Sequence, residues 1–198
     1  MDTEKVYSRL IEATGNKKVN PRICACEALG KTGNQDAAPV LIELLKNTSS
    51  NDLQRAAISA LGELGDAASL EQIKPHLKNQ ELTNAAHLAV FQIGLSDRDA
   101  SLKILRQQKK KPKALFMRVL LGDESAREQY KQLLSPHEKV QTLLDAIEFA
   151  PIMRDPDFEQ SMLRLIKYRR HDNFPGDRYM PYLAVKSLVQ IKLGRLAQ

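Results

Sequence analysis

The sequence predicts an all-α fold, a superhelical stack of helix pairs. Three observations carry that expectation. A short motif returns about every thirty residues, apolar residues keep helical spacing along most of the chain, and no sustained period-two alternation or Asn-Gly or Asp-Gly hairpin turn marks a strand pair.

The motif is clearest in two copies. Arg22-Ile23-Cys24-Ala25-Cys26-Glu27-Ala28-Leu29-Gly30-Lys31-Thr32-Gly33 lies over Gln54-Arg55-Ala56-Ala57-Ile58-Ser59-Ala60-Leu61-Gly62-Glu63-Leu64-Gly65 at an offset of 32 residues. Ala25/Ala57, Ala28/Ala60, Leu29/Leu61, Gly30/Gly62 and Gly33/Gly65 coincide. Each copy predicts a first helix, a glycine stop, a polar turn and a second helix. The second-helix stripes are Val40, Leu41, Leu44, Leu45 and then Leu70, Ile73, Leu77. Asn20-Pro21 reads as the start of the first of these helices, with Asn as cap and Pro at the first helical position. A third copy, Ala85 to Gly94, puts Phe91 at the first glycine and keeps the second as Gly94. A fourth, weaker copy is Met117 to Asp123, followed by Tyr130, Leu133 and Leu134.

Beyond residue 135 the period fades and the helix signals remain. Ser135-Pro136-His137-Glu138 has the form of a capping box leading into Val140, Leu143, Leu144 and Ile147. Asp155-Pro156 opens a helix striped by Met162, Leu163 and Ile166. Tyr182 to Ile191 looks like the first helix of another repeat and could close the stack. Two helices alone cannot bury apolar residues on several sides, so such pairs must stack on their neighbours. The expected organisation is one domain over 1–198, with clear repeats at 20–106 and divergent repeats and a C-terminal cap at 107–198: about five helix pairs plus a terminal helix.

The motif Ala-Leu-Gly-x-x-Gly, preceded by alanines and followed by Asp36-Ala37-Ala38-Pro39-Val40-Leu41-Ile42-Glu43-Leu44-Leu45-Lys46, resembles the HEAT-like repeat of the phycobilisome-lyase type. The match is close over 20–78, fair to about 106 and weak afterwards. The resemblance implies a right-handed α-solenoid whose second helices line a concave binding face. It also implies a range of functions, from bilin lyase subunits to scaffolds and a DNA glycosylase group, because a fold does not fix a function.

Composition narrows the classes. Aromatics are 5% and Trp is absent, so a ligand pocket walled by rings is not expected. No apolar run is long enough to span a bilayer, and the charged start Met1-Asp2-Thr3-Glu4-Lys5 is not that of a signal peptide. With two cysteines two residues apart and no disulfide framework, a cytoplasmic location is expected. The four histidines, His76, His87, His137 and His171, have no metal-ligand spacing. HEAT-type di-iron hydroxylases are marked by repeated His-Glu pairs, and His137-Glu138 is the only such pair here. No phosphate-binding glycine loop or nucleophile motif is present. No catalytic residue, metal or cofactor is therefore expected.

Net charge is +6, and all the excess lies late: residues 1–99 carry −2 and residues 100–198 carry +8. Lys103, Arg106, Lys109, Lys110, Lys111 and Lys113 crowd one stretch; Arg164, Lys167, Arg169, Arg170 and His171 form a second, flanked by Tyr168 and Phe174, with Arg178 beyond. Such clusters suit an acidic protein surface or nucleic-acid phosphates; they equally suit a solvated surface. In the second helices, Glu43, Lys46, Gln72, Lys103, Arg106, Gln132 and Lys167 are expected to project outward, because the apolar stripe takes the other positions. The expected function is a non-catalytic scaffold that holds a protein partner on this face, with a bilin-lyase subunit and a basic nucleic-acid binder as the alternatives.

Overall fold

The computed structural model describes residues 3–108, 111–135, 137–153, 156–167 and 179–196, and these are helical with short connections. The fold is an all-α solenoid of helix pairs, and the chain divides into two compact units, Met1–Gln107 and Gln108–Gln198.

The first unit begins with α1 (Thr3–Thr14), a helix the repeat pattern does not announce, followed by three pairs. These are α2 (Val19–Thr32) with α3 (Ala38–Asn47), α4 (Asn51–Leu64) with α5 (Leu70–Ile73, prolonged by a 3-10 turn over Lys74–Lys78), and α6 (Thr83–Ser96) with α7 (Arg98–Leu105). First helices pack on first helices, α2 on α4 and α4 on α6, so they form one row. Of the stripes expected from the sequence, Leu41, Leu44, Leu45, Leu70, Ile73 and Leu77 are buried and Val40 is half-buried; Leu29, Leu53, Ile58 and Leu61 of the first helices complete the core.

The two glycines of the motif have different tasks. The second glycine stops the helix: Gly33 and Gly65 are left-handed, at φ 67° and 71°, and each N–H bonds back to the carbonyl of Gly30 or Gly62. The polar residue that follows then turns the chain, Asn34 accepting from the N–H of Asp36 and Asp66 from that of Ala68, both at 3.0 Å. The first glycine lies inside the helix and sets the spacing of the row. A Cβ on Gly30 would stand 2.8 Å from the Cα of Ala60, and one on Gly62 would stand 2.6 Å from the Cα of Ala89. Nothing lies within 4 Å of a Cβ added at Gly33, so Gly33→Ala should carry only the left-handed backbone cost, about 1–2 kcal/mol in urea unfolding.

Two local expectations change. The cap position of α2 is Lys18, in extended backbone and without a side-chain cap, while Asn20 and Pro21 lie inside the first turn. Proline is tolerated there because first-turn N–H groups have no partner within the helix. Gly94 does not stop its helix: α6 runs on to Ser96, and Asp97 both ends it and caps α7 by accepting from the N–H of Ala100.

The second unit holds α8 (Pro112–Leu120), α9 (Glu124–Leu133), α10 (Val140–Met153), α11 (Pro156–Lys167) and α12 (Tyr179–Leu196). Here α8 packs on α9 and α10, and α12 packs on α10 and α11. Aromatic rings join the buried alanines here: Phe116 stacks on Phe149 at 4.9 Å, and Tyr130 tilts against the buried Phe158 at 5.5 Å. The Tyr130 hydroxyl donates to the carbonyl of Ala146 at 2.6 Å, and burial pushes its pKa far up. The capping box expected at residue 135 is a turn instead. Ser135 Oγ accepts from the N–H of His137, Glu138 Oε1 accepts from that of Lys139, and α10 starts only at Val140. Pro136 and Asp155 lie outside the described residues; Pro156 does open α11.

Gly122, at φ 77°, ends α8 and sets up a buried ion pair that the repeat pattern does not show. Arg118 Nε and Nη2 both lie 2.9 Å from Asp123 Oδ2, and the two side chains are only 5% and 4% exposed. Ser125 Oγ donates to Asp123 Oδ1 at 2.7 Å, and Arg118 reaches Ser125 Oγ and Gln129 Oε1. The cluster ties the end of α8 to the first turns of α9.

Candidate functional site

The second helices of the first unit form an outward ridge. Glu43, Lys46, Lys103 and Arg106 are exposed there and Gln72 is half-buried. Leu41, Leu44, Leu45, Ile73, Leu77, Leu102 and Leu105 take the inward positions. Between α3 and α5 runs an open groove of about 480 Å³. Ala38, Pro39, Ile42 and Ala68 give it an apolar floor, and Glu43, Lys46, Asp66 and Gln72 give it a charged and amide rim. The asymmetry follows from helical spacing: Ile42 falls off the buried stripe and stays half-exposed beside Glu43 and Lys46.

The second unit repeats the arrangement in a more polar form. A groove of about 450 Å³ lies between α9 and α11, lined among others by Gln132, Ser135, Gln160 and Arg164. Lys131 bridges it, with Nζ 2.5 Å from Asp157 Oδ2 and 3.7 Å from Glu128 Oε2. The hydrogen bond and charge of Lys131 hold the Asp157 carboxyl below its ordinary range. Arg164 bends over its own helix, toward the carbonyl of Gln160 and Ser161 Oγ.

Among the described residues of this unit, the basic residues singled out in the sequence lie on two different helices. Lys111 and Lys113 sit at the start of α8, a first helix; Arg164 and Lys167 lie on α11, a second helix. Lys113 is half-buried, and desolvation lowers its pKa against the pull of Glu148. Lys111, Arg164 and Lys167 are exposed. Lys103 and Arg106 belong to the first unit. Lys109, Lys110, Arg169 and Arg170 lie outside the described residues, as do Tyr168, His171, Phe174 and Arg178. The Arg118–Asp123 pair is the charged feature that sequence reasoning missed. Its one trace was the Gly-Asp dipeptide shared by 65–66 and 122–123.

The candidate reactive groups have structural surroundings. Cys26 is fully buried, in the place of Ile58, and burial pushes its thiol up to about 11; Cys24 is exposed and free. One thiol should therefore react with a thiol reagent in the native protein and two in denaturant. Ionisation of Cys26 also couples to stability. Its folded pKa lies above the ordinary 9.0, so the contribution is whole below pH 9 and falls as pH rises toward 11; Cys26→Ala should flatten that decline in urea titrations. His87 is buried, its Nδ1 2.7 Å from the Thr83 carbonyl, an arrangement that assigns the proton to Nδ1. His137 and Glu138 sit in the turn before α10, His137 exposed. Among the described residues no group of three or more His, Cys, Asp or Glu is placed to hold a metal ion. Among them, too, no helix is long and apolar enough to cross a membrane.

Stacked first helices, glycine-stopped turns and an outward second-helix ridge are the architecture of HEAT-like repeats, and residues 4–94 match the family of HEAT repeats. Among proteins of known identity, deoxyhypusine hydroxylase of Candida glabrata is 30% identical over 148 residues, which are 70% of this chain and 44% of that protein. The chain thus spans less than half the length of this curated relative. Among solved structures, the complex of CpcE and CpcF of phycocyanin lyase from Nostoc sp. PCC7120 aligns with a TM-score of 0.50 and 17% identity, covering 94% of this chain and 76% of that one. At that identity the likeness is one of fold, and it agrees with the repeat type that the glycine motif resembles.

Proposed function

We propose that this repeat scaffold binds a protein partner along the second-helix ridge, with the groove between α3 and α5 as its anchor. The observation that carries the reading is the pairing, in one groove, of an apolar floor at Pro39 and Ile42 with a mixed-charge rim at Glu43, Lys46 and Asp66. An apolar centre within a polar rim is the anatomy of a protein interface, and a helical scaffold offers it with little ordering cost. Lys103, Arg106, Lys111, Arg164 and Lys167 would add steering toward an acidic surface. The site then needs no catalytic group and no cofactor.

A second reading is favoured by the fold likeness to a two-chain lyase complex. The chain would then be one subunit of a chromophore-handling pair, and its partner a further helical-repeat chain.

The test uses charge and shape reversal in the full chain. Host extract is passed over immobilised wild type and over the Ile42→Asp/Lys46→Glu variant, each with and without nuclease, after circular dichroism has shown equal helicity. The reading expects a defined protein retained by wild type in both conditions and reduced at least about tenfold on the variant. Retention that disappears with nuclease would refute it and favour phosphate binding by the basic stretches. Lys103→Glu/Arg106→Glu should slow association about tenfold at low salt and leave dissociation nearly unchanged.

A further inference from the structure

Among the described residues, each unit contains a first helix with an exposed edge. Within the row of the first unit, each helix offers one edge to the helix after it. On α2 that edge carries Cys26 and Gly30, and on α4 it carries Ile58 and Gly62; all four are buried, and the two glycines lie against the following helix. The opposite edge receives the preceding helix with small residues, Ala56 and Ala60 on α4 and Ala85 and Ala89 on α6. Gly30 meets Ala60 there, and Gly62 meets Ala89.

Helix α12 of the second unit fits the same register. When Tyr182 to Val189 is laid on Arg55 to Gly62, the core positions agree, Ala184 with Ala57 and Leu188 with Leu61. Ser187 falls on Ala60 and does face the preceding first helix, donating to the Ile147 carbonyl of α10 at 3.0 Å. The onward edge is then Tyr182, Val185 and Val189, in the places of Arg55, Ile58 and Gly62. Val185 and Val189 are 45% and 48% exposed where Ile58 and Gly62 are buried; Tyr182, 64% exposed, takes the place of Arg55, which is exposed as well. In the first unit the row starts at α2, whose receiving edge is Cys24, Ala28 and Lys31. Cys24 and Lys31 are exposed and Ala28 is half-buried, where Ala60 is buried.

We propose that copies of this chain associate head to tail, the Tyr182/Val185/Val189 edge of α12 stacking on the Cys24/Ala28 edge of α2 in the next copy. A second copy is the occupant because the chain itself carries both halves of the joint, an apolar ridge and a small-residue bed, on the same helix edges that join α2, α4 and α6; Val189 in the place of Gly62 sets the two helices wider apart than in that row. Charge agrees. Lys186 and Glu27 both take the place of Ser59, both are exposed, and stacking sets them side by side with opposite sign. In the same register Val185 comes beside Cys24. The joint is heterologous, so it closes into rings or extends into short fibres rather than forming a two-fold pair. It involves first helices only and leaves the second-helix ridge open, so it stands apart from the partner-binding reading.

Sedimentation of the full chain from about 5 to about 500 µM is the first test, a range suited to a small interface. The expected result is a mass rising above the 22.3 kDa of one chain, and a single-chain mass for Val185→Asp at unchanged helicity. The second test keeps the surface apolar. Val185→Cys under mild oxidation should give a disulfide-linked ladder through Cys24 of the neighbouring copy, and Val185→Cys/Cys24→Ser should give none. A single 22.3 kDa species at every concentration overturns the proposal, whatever other chain then covers α12. A linked dimer that persists in the Cys24→Ser background also overturns it, because Val185→Cys would then be meeting its own copy across a two-fold axis.

Discussion

Arg118→Ala is expected to lower the stability of the second unit by about 3–5 kcal/mol in urea unfolding. Asp123 would keep its charge in a site 4% exposed and lose the guanidinium that compensates it. Asp123→Asn should cost less than Arg118→Ala, because the amide oxygen still accepts from Arg118 even though the guanidinium loses its counter-charge. Arg118→Met/Asp123→Leu should recover most of the loss, since a buried pair replaced by packed apolar groups is often close to neutral. A loss below about 1 kcal/mol for Arg118→Ala would place the pair in water rather than in the core.

Gly62→Ala should destabilise the first unit by about 1–3 kcal/mol, although the same change in an exposed helix stabilises by close to 1 kcal/mol. The sign depends on which atom the new methyl meets. At Gly62 it meets the Cα of Ala89 at 2.6 Å, which is backbone and can move only if α6 moves, and the Gln92 side-chain oxygen at 2.5 Å. Ala89→Gly in the same chain should therefore restore less than half of the loss, because the clash with the α6 backbone remains. Gly30→Ala meets Ala60 in the same way at 2.8 Å and should cost somewhat less. A stabilised Gly62→Ala protein would show that the row is looser than the structure has it.

The repeat explains why so much of the fold was legible. Alanine and glycine at fixed offsets specify close helix packing, and the Ala-Leu-Gly-x-x-Gly motif encodes both the tight approach at Gly30 and Gly62 and the stops at Gly33 and Gly65. What the sequence hid is where two local signals compete. Gly94 has the motif's spacing, yet Asp97 supplies a cap three residues later and the helix runs through to it. Asn20-Pro21 has the form of a cap, yet the helix begins two residues before Pro21, at Val19. The Arg118–Asp123 pair spans a left-handed turn, so neither helical nor strand spacing announces it. The outward ridge of Glu43, Lys46, Lys103 and Arg106 was readable because it is the complement of the apolar stripe. The groove beside Ile42 was not, because it depends on how far α3 stands from α5. The basic stretches were obvious as composition, but composition cannot say that Lys113 and Arg164 belong to different helix rows.

The most direct test of the partner-binding account is site-specific photo-crosslinking in the native host, with the crosslinking residue placed at Ile42 in the α3–α5 groove or at Ser59 on the opposite row. The account predicts a discrete crosslinked protein from Ile42 and much less from Ser59. Crosslinks of equal yield from both positions, or from Ser59 alone, would contradict it.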